Sequence, residues 1–259
     1  MTLHWEPESE ARGSVALVHG VMALAETWWR IGPALAARGW RVVAVDLPGH
    51  GGDVHRDGPL DLDALVHGVA ALLDGPVDLL VGHSLGAIVA LGLLGRDPGA
   101  ARAVVLEEPP GPGAIDLGAL AAVIVHDAAA VRIDRAPLVA REREANPRWD
   151  LGDVERSVRG IEEADSDAIV AALHGPLRWD LSALLAGVDV PTLVLAAPDA
   201  PGRFPLDPGS ALRGADRETV RAALAPERFV ELDGGHCLHR DDAQRWLEAV
   251  GDFARAAVG

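Results

Sequence analysis

The sequence is short of tyrosine, phenylalanine, cysteine and positive charge. It contains no tyrosine, three phenylalanines and one cysteine in 259 residues, so its seven tryptophans must supply most aromatic contact. The single Cys237 excludes an internal disulfide. Lysine and arginine number 23 against 39 aspartate and glutamate residues, and the formal net charge of −16 disfavours nucleic acids and anionic membrane surfaces as partners.

Long hydrophobic runs are also missing. No stretch of about 18 apolar residues occurs, so no membrane-spanning helix is predicted. Residues 1–6 lack the basic segment and apolar core of a secretory signal, and we therefore expect a cytoplasmic protein. Hydrophobic residues nevertheless make up 49% of the chain, which predicts a globular protein with a substantial core in one large or two small domains.

Apolar segments of strand length alternate along the chain with segments of helical periodicity. Strands are predicted over residues 3–6, 14–18, 41–45, 77–81, 102–106, 190–197 and 228–232, and helices over residues 27–38, 61–74, 87–94 and 243–254. Because the strands are nearly continuous apolar runs separated by helices, the predicted fold class is α/β, with a mostly parallel central sheet covered by helices on both faces.

Residues 109–187 interrupt this alternation. They contain no clear strand pattern, whereas apolar residues recur at helical spacing in several segments. A single crossover between parallel strands needs far fewer residues. We therefore predict a core domain formed by residues 1–108 and 188–259, and a helical cap formed by residues 109–187.

The predicted site is organised around residues 77–86. An apolar run of strand length leads into Gly82-His83-Ser84-Leu85-Gly86, which matches the pattern G-x-S-x-G, and a second apolar run follows at once. A strand, a sharp turn with serine at its tip and a helix form the context of a nucleophile elbow. Glycines avoid the clash that a Cβ would cause in this turn, and a helix N-terminus favours developing negative charge. Ser84 is therefore the predicted nucleophile.

Four segments in a fixed order carry a resemblance to a known family. They are His-Gly-Val-Met at 19–22, Asp-Leu-Pro-Gly-His-Gly at 46–51, the elbow at 82–86, and Gly-Gly-His at 234–236 before the last predicted helix. With these segments the chain resembles the α/β-hydrolase family, in its serine-nucleophile, lipase/esterase-like form with a helical cap. The motifs are specific for the fold and much less specific for the substrate.

The resemblance implies a catalytic triad. A serine hydroxyl needs a base that removes its proton, and histidine titrates in the right range. His236 takes this role because it follows the last strand in a Gly-Gly-His loop, as in the family. Asp199, in the loop after the strand at 192–197, is the first choice for the acid that orients the imidazole, with Asp207 as a remote second choice in that loop.

The acid has a serious rival at another strand end. Some relatives take it from the end of the strand at 102–106, where Glu107 and Glu108 stand, so this alternative stays open. The resemblance also places the oxyanion hole at the backbone N–H groups of Val21 and Leu85.

These residues predict a serine hydrolase that cleaves a carboxylic ester, lactone or thioester through an acyl-enzyme on Ser84. Alternatives are C–C bond hydrolysis, acyl transfer, hydroxynitrile cleavage or perhydrolysis by the same residues, or a slow or inactive ligand-binding protein. No arginine cluster stands out, so we expect a mainly apolar, uncharged small molecule of modest size. No metal or cofactor is implied, and the oligomeric state stays open. The candidate pocket residues are Met22, Trp28, Trp29, Trp149, Trp179 and Leu238.

Overall fold

The computed structural model describes residues 1–51, 58–206 and 209–258. Over these residues seven strands form one sheet in the order β1-β3-β2-β4-β5-β6-β7. The strands are β1 (Thr2–Trp5), β2 (Gly13–Val18), β3 (Trp40–Val45), β4 (Val77–His83), β5 (Ala101–Glu107), β6 (Thr192–Ala196) and β7 (Phe229–Glu231). β1 is antiparallel to β3 and the other neighbouring pairs are parallel, which confirms the predicted α/β class.

Helices follow most strands, as the alternating pattern predicts. They are α1 (Ile31–Ala36), α2 (Leu62–Ala70), α3 (Leu85–Arg96), α4 (Leu117–Ile133), α5 (Ala136–Ala145), α6 (Leu151–Glu163), α7 (Ser166–His174), α8 (Leu181–Ala186), α9 (Gly214–Ala223), α10 (Leu238–Asp241) and α11 (Ala243–Ala257), with 3₁₀ turns at Ala25–Trp28 and Pro226–Arg228. The helix predicted over 27–38 is split into a 3₁₀ turn and α1. Pro33 is the third residue of α1, where a missing N–H breaks no intrahelical bond. No helix among the described residues is long and apolar enough to cross a membrane.

The sheet separates two hydrophobic cores, and strand alternation assigns side chains to each. In β5, Val104 and Leu106 pack with α3, whereas Ala103 and Val105 pack with α11 on the opposite face. Side chains of a strand point alternately to the two faces, so strands covered on both faces read as continuous apolar runs.

The chain between β5 and β6 folds into the helices α4 to α8, and in this stretch the structure contains no strand. Four of these helices start at an aspartate whose side chain accepts a hydrogen bond from a backbone N–H of the first turn; these N-caps are Asp116, Asp150, Asp165 and Asp180. Such caps satisfy N–H groups that have no intrahelical acceptor. Helices α4 to α7 pack on one another, while α8 packs on α3 of the core.

Candidate active site

Ser84 lies at the tip of the turn between β4 and α3. Its backbone has φ 52° and ψ −120°, a conformation that L-residues rarely adopt and that is held here by close packing. A Cβ on Gly82 would lie 2.3 Å from the carbonyl oxygen of Gly86, and a Cβ on Gly86 would lie 2.4 Å from that of Val18. Both glycines of the G-x-S-x-G motif are therefore required by the packing of the elbow.

Three side chains from distant parts of the chain form one hydrogen-bonded row. His236 Nε2 lies 2.9 Å from Ser84 Oγ, and His236 Nδ1 lies 3.3 Å from Glu108 Oε2. A neutral imidazole with its proton on Nδ1 satisfies both contacts and leaves Nε2 as an acceptor for the serine hydroxyl. This is the arrangement that a serine nucleophile and its base require.

Glu108 is fully buried at the end of β5, and its carboxylate is surrounded by donors. Oε1 accepts from the N–H of Ala197 at 2.7 Å, Oε2 accepts from the N–H of Ala211 at 2.5 Å, and the hydroxyl of Ser210 lies 2.8 Å from Oε1. These groups replace the water that an ionised carboxylate loses on burial. The φ of +51° turns Glu108 out of the strand toward His236.

Asp199, the first choice for the acid, lies elsewhere. Its Oδ1 accepts from the N–H groups of Ala200 at 3.0 Å and Gly214 at 3.2 Å, and its side chain is exposed. The structure does not bring it to His236, where Glu108 stands instead, so the expectation for Asp199 is corrected in favour of the alternative. Asp207 lies outside the described residues.

Glu107, the neighbour of Glu108, belongs to a second buried network. It accepts from His239 Nδ1 at 2.8 Å and from Trp246 Nε1 at 2.9 Å. Burial raises the pKa of Glu107 and holds the pKa of His239 well below its usual range. Successive carboxylates thus serve two different histidines, and only Glu108 contacts the imidazole beside Ser84.

The predicted oxyanion donors are the N–H groups of Val21, in the loop after β2, and of Leu85, the first residue of α3. No described residue accepts a hydrogen bond from the N–H of Val21 or Leu85. The loop that carries Val21 is held by His50, whose Nε2 accepts from the N–H of Met22 at 3.1 Å, and Met22 itself has φ +56°. Burial lowers the pKa of His50 to about 4, which keeps the imidazole neutral and able to accept this bond.

A cavity of 240 Å³ opens onto Ser84 and His236. Met22 and Trp149 line it, as predicted, Val21 lines it too, and α4 contributes Leu120, Val123 and Ile124. A larger depression of 650 Å³ lies between α5 and α6, but its walls contain neither serine nor histidine. The smaller cavity is therefore the candidate substrate site.

Four predicted pocket residues are not in the cavity wall. Trp28 is fully buried against the ring of His239, with centroids 4.4 Å apart, and Leu238 is buried in the core beside α11. Trp29 Nε1 donates to Asp153 at 2.8 Å, and Trp179 Nε1 donates to the carbonyl of Pro110 at 2.8 Å. The expectation was wrong for these residues because the sequence does not show which face of an element carries them.

One set of three described residues has donor atoms close enough together to suggest a metal site. These residues are His83, Glu107 and His239, all of them buried, with their candidate ligand atoms within 4.8 Å of one another. His83 Nε2 lies 2.8 Å from the carbonyl of His236, and His239 Nδ1 bonds to Glu107. The hydrogen bonds account for the cluster, and the expectation that no metal or cofactor is needed stays a prediction.

The cavity wall also contains residues that the sequence did not single out. Phe204 lies with its ring centroid 4.7 Å from that of His236, and Asp127, Glu142 and Arg240 line the same space. Arg240 follows His236 by four residues, so its proximity could have been noticed in the sequence. Asp127 and Glu142 come from α4 and α5, and no local signal connects them to the elbow.

Two relatives of known name match parts of this chain. A pimeloyl-[acyl-carrier protein] methyl ester esterase of Neisseria meningitidis is 43% identical over 97 residues, which cover 38% of this chain and 36% of that protein. Lipase LipV of Mycobacterium tuberculosis is 34% identical over 181 residues, 68% of this chain and 64% of the lipase. The matched segments thus cover between about one third and two thirds of the length of these relatives.

Solved structures agree over the whole length. An enol-lactonase from Burkholderia xenovorans LB400 superposes with a TM-score of 0.71 at 21% identity, covering 98% of this chain and 96% of that one. A thioesterase domain from the curacin biosynthetic pathway superposes with a TM-score of 0.69 at 22% identity, covering 96% and 93%. Residues 15–249 match the model of the Alpha/beta hydrolase family. The resemblance seen in the motifs is confirmed, and the chain belongs to the alpha/beta hydrolase family.

Proposed function

We propose that this protein is a serine hydrolase that cleaves a carboxylic ester, lactone or thioester of a modest-sized, mainly apolar substrate. The observation that carries the proposal is the continuous row Ser84–His236–Glu108, whose serine end opens into a cavity. The names of two relatives, a methyl ester esterase and a lipase, support ester chemistry. Ser84 is the proposed nucleophile, His236 the general base and Glu108 the acid.

In the first half of the reaction, Ser84 Oγ attacks the carbonyl carbon of the substrate while His236 Nε2 takes the hydroxyl proton. The carbonyl oxygen becomes an oxyanion that the N–H groups of Val21 and Leu85 stabilise. Loss of one such donor typically costs about 100-fold or more in rate. The intermediate then collapses, the C–O or C–S bond breaks, and the leaving group takes the proton from His236.

The second half regenerates the enzyme. Water attacks the acyl carbon while His236 Nε2 takes one of its protons, and a second tetrahedral intermediate expels Ser84 Oγ, which regains a proton. Glu108 holds Nδ1–H and stabilises the imidazolium that forms in each half. Because this carboxylate is fully buried, its interaction with the imidazolium is weakly screened by solvent.

The cavity accounts for the proposed substrate class. Its 240 Å³ lies below the range of about 300–1,000 Å³ that is typical of drug-sized ligands, so a substrate of modest size fits. Leu120, Val123, Ile124 and Ile161 form an apolar part of the cavity wall. We propose that the helices α4 to α7, of which α4 and α6 supply this wall, act as a cap over the site.

The test combines turnover with covalent labelling. The wild type and Ser84→Ala are assayed with p-nitrophenyl acetate and butyrate, and both proteins are treated with a fluorophosphonate and examined by intact mass. We expect ester turnover and one label on the wild type, and neither on Ser84→Ala, whose thermal unfolding should remain cooperative.

Three other outcomes would contradict parts of this proposal. Turnover retained by Ser84→Ala would refute the assignment of the nucleophile. Labelling of the wild type without turnover of either ester would reject simple ester hydrolysis and favour other chemistry by the same serine. Absence of both label and turnover would mean that Ser84 is not activated.

A further inference from the structure

Arg240 is a nearly buried cation in the wall of the candidate active site. Its residue exposure is 5%, and it lines the same cavity as Ser84 and His236. Over the described part of the chain it forms no ion pair. The comparably buried Arg217, at 1% exposure, pairs with Glu231. A buried charge without a partner is costly, and such groups concentrate at binding and catalytic sites.

The guanidinium is held in a fixed orientation by neutral groups. Nε and Nη2 donate to Thr27 Oγ1 at 3.0 and 2.5 Å, and the ring of Trp149 lies 4.6 Å from the guanidinium carbon. The backbone carbonyl of Arg240 accepts from Arg30 Nη2 at 2.9 Å. These contacts fix two nitrogens of the fork before any ligand binds, which lowers the entropy cost of recognition.

One nitrogen of the fork remains available. Nη1 of Arg240 donates to no described residue, and it is not sealed from solvent. The side chain lines the cavity of Ser84 and His236, and Nη1 is its unused donor.

The acidic side chains of the same wall already have donors. Asp127 receives Arg141 on both oxygens, at 2.7 and 2.6 Å, and Glu142 receives Arg141 at 3.1 Å. The hydroxyl of Ser157 lies 3.5 Å from the other oxygen of Glu142. These two carboxylates therefore have donors already, whereas Arg240 has a neutral acceptor in Thr27 and no described carboxylate partner.

We propose that Arg240 binds a carboxylate of the substrate, on the acyl group and remote from the scissile carbonyl. The inference rests on the proposed function for the position of that carbonyl. Preferred substrates are then esters or thioesters of short acyl chains that end in a carboxylate. The middle of such a chain is apolar and suits the wall formed by α4, while its terminal charge neutralises the buried guanidinium. This proposal replaces the expectation of an uncharged substrate, because the fold places Arg240 in the cavity wall although the sequence shows no arginine cluster.

The test compares esters of equal shape and different charge. Mono-p-nitrophenyl esters of glutaric and adipic acid are assayed beside p-nitrophenyl 5-methylhexanoate and 6-methylheptanoate, in which an isopropyl group replaces the carboxylate. For the wild type we expect kcat/KM to favour at least one charged ester by about tenfold or more, the scale of one hydrogen bond to a charged group. In Arg240→Gln this ratio should fall to about one or below, and Arg240→Lys should keep part of it.

Arg217→Gln is the matched control, because it removes an equally buried arginine that lies outside the cavity wall. It should lower the melting temperature and leave the ratio of charged to neutral ester unchanged. A wild type that prefers both neutral esters, or an Arg240→Gln variant that keeps the wild-type ratio, would overturn the inference.

A binding measurement separates this inference from the proposed function. Glutarate and adipate are titrated calorimetrically into Ser84→Ala and into Ser84→Ala with Arg240→Gln or Arg240→Lys. We expect binding to Ser84→Ala, about tenfold or more weaker with glutamine and partly restored with lysine. Such a pattern in a protein whose wild type hydrolyses no ester would leave the inference intact and refute the function. Equal affinity for all three proteins, or no binding to Ser84→Ala, would refute the inference.

Discussion

Replacing Glu108 by glutamine tests its proposed role as the acid of the triad. In the native protein one carboxylate oxygen accepts from Ala197 N–H and the other from Ala211 N–H and His236 Nδ1. Whichever way a glutamine amide is turned, its NH₂ group faces at least one of these donors. The variant therefore loses at least one hydrogen bond to a charged acceptor and leaves a buried N–H unpaired. Each such unpaired donor should lower the free energy of unfolding by about 1–3 kcal/mol.

The effect on catalysis should exceed the effect on stability. An amide cannot stabilise the imidazolium that forms when His236 takes the serine proton, and removal of this charge in a serine–histidine–acid triad costs up to about 10⁴-fold in kcat. We expect Glu108→Gln to lose between about 10²-fold and 10⁴-fold in kcat with p-nitrophenyl butyrate, equivalent to about 3–5 kcal/mol of transition-state stabilisation. KM should change little, because Glu108 does not line the cavity.

Two matched variants separate catalysis from folding. Glu107→Gln removes an equally buried carboxylate that serves His239 and Trp246, so it should lower the melting temperature while kcat falls less than about tenfold. Asp199→Asn changes an exposed side chain and should leave kcat within about twofold. A large loss of kcat in Asp199→Asn, with near-native activity in Glu108→Gln, would refute the assignment of the acid.

Two further predictions concern Gly86, near the start of α3, and His50, which holds the loop of the proposed oxyanion donor Val21. Gly86→Ala should prevent folding or cost several kcal/mol, because its Cβ would lie 2.4 Å from the carbonyl oxygen of Val18; a soluble variant with a native melting temperature would contradict this. His50 has a folded-state pKa of about 4 against an ordinary 6.5, so its stabilising effect is complete above about pH 6.5 and is lost as the pH falls toward 4. His50→Gln should reduce the slope of unfolding free energy against pH in this window by up to about 1.4 kcal/mol per pH unit, measured by urea titration, whereas the exposed His4→Gln should not.

The central fold could be predicted from the sequence because its signals are local. The apolar runs become the strands β2 to β7 within one or two residues at most ends, and the elbow motif lies between β4 and α3 as its spacing requires. Helix α9 was missed because its burial is confined to Arg217 and Val220 among charged residues, which gives little apolar periodicity. The split of the first predicted helix was also missed, because tertiary packing decides where the 3₁₀ turn ends and the α-helix begins.

The site could be predicted only in part. Ser84 and His236 were identified from motifs that adjoin strand ends, and the structure brings them within 2.9 Å. The choice among the acids depended on side-chain direction. Glu107 and Glu108 are adjacent in the chain, yet they serve different histidines because β5 ends between them and Glu108 has a positive φ.

The sequence by itself determined the α/β alternation, the family and the serine–histidine pair, because hydrophobic period and glycine-bounded turns are written into consecutive residues. Only the tertiary structure decided which carboxylate meets His236, which tryptophans face the cavity, and that Arg240 stands in its wall without an ion pair among the described residues. The physical reason is that these contacts join residues far apart in the chain, such as Glu108 with His236 at a separation of 128 and Thr27 with Arg240 at 213. Their geometry depends on the packing of strands and helices around them, and no local pattern encodes it.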